Sequence, residues 1–244
     1  MLGLKNSRKT FDGFTLAEVL VTLGIIGVIS TLTLPTLMNN YHRKAYVTQL
    51  HKVYNEFSRA GESFVTSRNA VNLAEAGLNS QDKIANFMQS QMKIVTDCGT
   101  DFTSCFASSY KNINSGAVTN LNTEQNNQTS SCYALPSGAS VCLTYMGRTR
   151  SSCNGVVNLV VDVNGKKGPN TLGRDLFVMG MDADGSVTPT CSITQGTCAS
   201  AKQDKCNVNK SPLQKCKEAT TMVANEDAAN CFIQIIDDGW QMNY

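Results

Sequence analysis

Apolar residues run almost unbroken from Phe14 to about Met38 and then thin into a stripe. Within the run Glu18 is the single charge. A span of roughly 20 apolar residues crosses a bilayer as a helix, so the first element predicted is a membrane helix. Beyond it Tyr46, Leu50, Val53, Phe57, Ala60 and Phe64 recur at three and four residues, with Arg43, Lys44, Gln49, Lys52, Glu56, Arg59 and Glu62 between them. That period predicts that the helix continues, now amphipathic, to about Val65, with its stripe on a globular domain. At 1.5 Å per residue the element from Phe14 to Val65 is a rod of about 75 Å. Pro35 cannot donate one helical hydrogen bond and is expected to kink or locally melt the helix. Gly24, Gly27 and Thr31 place small side chains on one side, where a second helix could approach closely.

A second helix is predicted from Gln81 to Val95, with Ser80 as N-cap, Asp82 in the first turn, and Ile84, Phe87, Met88, Met92 and Val95 as its buried stripe. Cys98 to Ser131 is polar and reads as irregular loop. The pattern then turns to short strands. Cys132–Leu135 and Ser140–Met146 flank a Pro136-Ser137-Gly138 turn, Val156–Val163 is strongly β-forming, and Leu176–Met181 follows a Gly- and Asn-rich loop. Asp182-Ala183-Asp184-Gly185 turns the chain into Ser186–Thr188, and Thr190–Lys217 reads as a disulfide-stapled loop. A short helix from Asn225 carries Cys231, Phe232, Ile235 and Ile236, and Trp240 anchors the end of the chain on the core. The fold class expected is α+β: a long N-terminal helix packed on an antiparallel sheet, with disulfide-rich loops.

Composition adds a compartment. Of 244 residues 16% are charged, and the ten cysteines, Cys98, Cys105, Cys132, Cys142, Cys153, Cys191, Cys198, Cys206, Cys216 and Cys231, all follow the long helix. An even set of this density points to disulfides formed in an oxidising compartment. Zinc ribbons space their cysteines by two to four, whereas Cys98/Cys105 and Cys191/Cys198 are seven apart. The net charge of +2 belongs to the first 13 residues, which hold Lys5, Arg8, Lys9 and Asp12; the remainder balances at 18 basic and 18 acidic residues. No general affinity for nucleic acid follows from that balance. Lys202, Lys205, Lys210, Lys215 and Lys217 form a local basic stretch, but no aromatic interleaves them to stack bases, so nucleic acid is not the expected partner.

Gly13-Phe14-Thr15-Leu16-Ala17-Glu18 ahead of an apolar helix resembles the N-terminal signal of type IV pilins and of type II secretion pseudopilins. The resemblance implies a leader, residues 1–13, cut between Gly13 and Phe14 by a prepilin peptidase that also methylates the new Phe14 amine. It implies a membrane half, 14–38, and an exported domain, 39–244. Glu18 and Pro35 fall at the fifth and twenty-second positions from Phe14, as in the family. Glu18 can then pair with the Phe14 ammonium of a neighbouring subunit, relieving two buried charges together. The implied role is a structural subunit, of a type II secretion pseudopilus first, as a minor pseudopilin, or of a type IV pilus for adhesion or DNA uptake second. Implied partners are the peptidase, other pilin or pseudopilin subunits, the inner-membrane assembly platform and the bilayer. The basic leader would stay in the cytoplasm, leaving the C-terminal bulk outside. An ordinary secretory signal peptide shares the basic start and apolar run and could be cut near Val28-Ile29-Ser30, but it has no use for Glu18. A membrane-anchored binding module for a ligand or DNA, with the signal serving only as anchor, is the reading of a different class.

Chemistry is sparse. The two histidines, His42 and His51, lie nine positions apart on opposite faces of one helix, read as solvated surface, and cannot form a joint site. With no histidine in the globular part, a nucleophile–histidine pair has no base, and an enzyme is not expected. Asp162, Asn164, Asn170, Asp175, Asp182 and Asp184 offer hard oxygens that could hold calcium if the sheet brings their two turns together. The same Asp-x-Asn-Gly and Asp-x-Asp-Gly patterns are also ordinary turn formers whose side chains cap their own backbone. Val161 to Asn170, with Gly173-Arg174-Asp175, resembles a turn of many pseudopilin-like proteins.

Overall fold

The computed structural model describes residues 13–119, 130–147, 155–189, 210–221 and 226–244. Helix α1 spans Leu16–Thr66, and the chain divides into two compact units within it, at His42/Arg43. In the first unit an 18-residue window of α1 is long and apolar enough to cross a membrane, and none of it is buried. Helix continues through Pro35 without a break, so the local melting expected there does not occur. A proline removes one donor, and the turns on either side keep theirs.

In the second unit α1 buries Val47, Leu50, Val53, Phe57, Ala60, Gly61 and Phe64, the stripe read from the sequence shifted to include Val47 and Gly61. These side chains share one core with the strands. Fully burying each Leu, Val or Phe contributes about 1.5–3 kcal/mol, which is what fastens the amphipathic half to the domain. A 3-10 turn, Gln81–Lys83, leads into α2, Ile84–Gln91, whose Phe87 ring meets Phe64 of α1 edge-on at 5.1 Å.

The strands are β1 (Thr96–Gly99), β2 (Tyr110–Lys111), β3 (Ala117–Val118), β4 (Ser131–Ala134), β5 (Ser140–Tyr145), β6 (Gly155–Asp162), β7 (Leu176–Asp182) and β8 (Val187–Thr188). Among the described residues six of them form an antiparallel sheet in the order β1-β4-β5-β6-β7-β8, and β2 pairs with β3 separately. Strand β5 is buried along its whole length and β7 as far as Met181. Burial on both faces explains why these strands read as apolar runs rather than alternating ones. Three shorter helices complete the domain: α3 (Phe102–Cys105), α4 (Pro212–Glu218) and α5 (Glu226–Asp237).

Four sequence expectations are corrected. The second helix ends at Gln91, and Val95, 65% exposed, is no part of a buried stripe: its N–H donates to Ala134 O and leads the chain into β1. Ser80 makes no backbone cap; its hydroxyl donates to the Asp82 carboxylate. The stretch read as irregular loop holds β1, α3, β2 and β3, because Phe102, Phe106 and Tyr110 bury themselves among its polar residues. Residues 211–218 of the expected stapled loop are instead capped and helical: Ser211 Oγ accepts from Gln214 N, the Gln214 side chain accepts from Ser211 N, and Pro212 begins α4. That is a capping box with proline at the first helical position.

Candidate functional site

The N-terminus of α1 is built by two residues of the Gly13–Glu18 stretch. Thr15 N and Thr15 Oγ1 both donate to Glu18 Oε2, each at 2.9 Å, and Glu18 N donates back to Thr15 Oγ1 at 3.3 Å. This reciprocal capping box satisfies the first orphan donors and starts the helix at Leu16. Gly13 and Phe14 are consequently outside the helix, and Phe14 is 89% exposed. Thr15-x-x-Glu18 was legible as a capping box, and Thr15 is the residue that reading for a lone acid passes over. Glu18 Oε1 accepts no hydrogen bond among the described residues.

From Leu16 to Tyr41 the apolar side chains of α1, Val19, Leu23, Ile26 and Leu34 among them, are exposed. Gly24 and Gly27 have open space where a Cβ would stand, and Thr31 Oγ1 donates to Gly27 O at 2.8 Å, turning its polar atom into the helix. What remains outward there is small and apolar, as close helix approach requires.

The six hard-oxygen residues do not converge. Asp162 pairs with Leu176 at one end of the β6–β7 ladder, and Asp182 pairs with Gly155 at the other. The length of β7, about 20 Å at 3.3 Å per residue, separates the two turns, so Asp182 and Asp184 cannot join Asp162, Asn164, Asn170 and Asp175 in one calcium site. Each carboxylate is engaged locally. Asp162 Oδ1 accepts from Asn164 N at 3.0 Å and Oδ2 from the Tyr110 hydroxyl at 2.5 Å. Asp175 accepts from Asn170 N at 2.7 Å and Thr171 N at 2.6 Å. Asp184 accepts from Ser186 N, and Asp182 from Thr188 Oγ1. Among the described residues no three His, Cys, Asp or Glu side chains gather as a metal cluster. Asn164 Oδ1 and Asn170 Oδ1 are buried without a hydrogen-bond partner, the two polar atoms of this loop that turn chemistry does not use.

Burial pushes the Asp162 carboxyl up to about 8; the Tyr110 hydrogen bond opposes the rise and the Asp175 charge adds to it. Asp175 is pushed up to about 6, again by burial, against hydrogen bonds from Thr171 and Asn170. Burial, with the Asp162 charge next, raises Tyr110 as well. Tyr110 sits in the stretch read as loop, and nothing local in the sequence pointed to it as the partner of a residue 52 positions away.

Three disulfides join described cysteines: Cys98–Cys105, Cys132–Cys142 and Cys216–Cys231. Cys153, Cys191, Cys198 and Cys206 lie outside the described residues, as do Lys5, Arg8, Lys9, Lys202 and Lys205. Of the described lysines read as a basic stretch, Lys210 bonds Glu218, Lys215 is buried and Lys217 stands in the last turn of α4. His51 is exposed yet not simply solvated: its ring lies 4.1 Å from that of Trp240, which also packs on Tyr54 and Phe232. Trp240 thereby anchors the end of the chain.

Residues 8–34 match the family model described as the prokaryotic N-terminal methylation motif. Comparison with curated proteins and with solved structures finds no match.

Proposed function

We propose that this chain, which carries the N-terminal methylation motif of type IV pilins and pseudopilins, is a structural subunit of a type II secretion pseudopilus or a type IV pilus, in the role of a minor subunit. One observation carries the reading: along its first half the helix bearing the motif has its apolar side chains exposed among the described residues. Such a surface requires lipid before assembly and other subunits after it. In this reading prepilin peptidase cuts between the exposed Gly13 and Phe14 and methylates the Phe14 amine. The leader lies on the cytoplasmic side and the disulfide-bonded unit outside. Thr15 holds Glu18 Oε2, and Oε1 takes the Phe14 ammonium of a neighbouring subunit, so that neither charge is left unpaired.

Mass spectrometry of the mature chain tests processing, with N-methylated Phe14 expected as the first residue. A first residue at Thr31 would establish ordinary signal-peptide cleavage and overturn the reading. Glu18→Ala is expected to be cut normally yet to disappear from sheared filaments. Its normal incorporation would remove the pairing from the mechanism, and wild-type protein found only as a membrane monomer would favour an anchored binding module.

A further inference from the structure

We propose that a cleft on one flank of α1 receives the Asp237–Asp238 corner of a second copy of this chain; the inference rests on the assembly reading and names a contact within it. The cleft, about 450 Å³, is bounded by α1, by the residues after α2 and by the β4–β5 turn. Met92 and Pro136 supply apolar wall, and Lys52, Glu56, Arg59 and Lys93 supply the charge. Lys52 and Glu56 offset one another as an exposed pair at 3.9 Å. Arg59 and Lys93 have no ion-pair partner among the described residues, so the cleft presents two uncompensated cations.

The complementary charge is in the same unit. Asp237 ends α5 and Asp238 follows it; neither makes an ion pair among the described residues, and no basic residue occupies the last turn. The C-terminal end of a helix carries partial negative charge, so acids there are unfavourable to the helix itself. Among the described residues of one copy these two carboxylates have no ion-pair partner, and a second copy supplies one.

The geometry keeps the two features apart on one molecule. Lys52, Glu56, Arg59 and Ser63 recur at four, three and four residues and share one flank of α1. His51 and Tyr54 hold Trp240, just beyond Asp238, on a flank turned about 140° away at 100° per residue. A chain cannot insert its own corner into its own cleft, whereas a neighbour can. A contact between two different patches is heterologous, the kind that adds copies in series.

The test uses the full-length chain in its membrane, with a photo-cross-linking amino acid at position 63 and two distinguishable tags. Cross-links between copies that map to residues 237–238 are expected. Asp237→Lys with Asp238→Lys should lower their yield about tenfold, and adding Arg59→Asp with Lys93→Asp should restore it to within about twofold. Variants are compared at equal membrane levels, with Cys98, Cys105, Cys132, Cys142, Cys216 and Cys231 still resistant to alkylation as the check on folding. Yield indifferent to the reversal, failure of the swap to restore it, or cross-links only to another polypeptide would overturn the proposed contact and leave assembly standing. Recovery of the wild-type chain solely as a monomer would overturn both.

Discussion

Asp162, which ends β6, and Asp175, in the loop just before β7, are both buried, with neither in an ion pair among the described residues. Burial raises both carboxyls above their ordinary range, to about 8 and about 6. The folded state therefore binds protons that the unfolded chain, with carboxyls near 4, releases. The sign follows: this contribution to stability is complete below pH 4, is lost as pH rises through about 6 for Asp175 and about 8 for Asp162, and is absent above. Chemical denaturation between pH 5 and pH 8.5 should show stability falling by a few kcal/mol on the order set by such shifts. Asp162→Asn keeps an oxygen for Asn164 N and offers Tyr110 a donor in place of an acceptor, so it should flatten the upper part of that fall. A slope unchanged in the variant would mean that Asp162 stays ionised. Calcium bears on the same loop. Because Asp162 and Asp175 already accept from backbone or tyrosine donors, calcium up to millimolar is expected to leave the unfolding midpoint unchanged. A rise abolished by Asp162→Asn would instead assign the unpartnered Asn164 and Asn170 oxygens to a cation.

Among elements, α1 meets the β7–β8 turn backbone to backbone at Gly61 and Gly185. A Cβ on Gly61 would stand 2.0 Å from Gly185 O, a backbone atom that cannot swing aside, and Gly185 itself has φ +91°. Gly61→Ala should lower stability by about 1–3 kcal/mol through overpacking. Phe57→Ala, from the fully buried stripe of the same helix, should cost about 3–5 kcal/mol through the cavity it leaves. Urea unfolding of both variants checks the ranking; a Gly61→Ala as stable as the parent would show that the helix can ride away from the turn. At the other end Cys216–Cys231 ties α4 to α5 across 15 residues and packs both sulfurs against Gly173. Replacing the pair by alanine should cost about 3 kcal/mol by loop entropy. It should also loosen the Tyr244 hydroxyl from Gly173 O, to which it donates at 2.8 Å.

For the whole molecule, the decisive property is the contrast between a half-helix with its apolar side chains exposed and a disulfide-bonded unit with its own core. Alkylation before reduction should leave the six described paired cysteines unlabelled in exported protein. Labelling of most of them would contradict the disulfide framework.

Periodicity and composition determined the long helix, its change from all-apolar to striped, the strands β4 to β7 and the presence of disulfides. These are local or cumulative properties that a linear pattern carries. The Gly13–Glu18 stretch was legible for the same reason: it lies within the matched N-terminal methylation motif, and its capping box spans only four residues. Tertiary structure alone decided the rest. Tyr110 meets Asp162 across 52 positions, and Trp240 meets His51 across nearly the length of the domain. Strand β7 holds two similar acidic turns at opposite ends, where the sequence suggested that they could meet. Short elements such as β1, α3 and α4 formed in polar stretches because a few buried side chains, and not a period, hold them. Long-range pairing selects among many local patterns of nearly equal energy, and that selection is made only when the core closes.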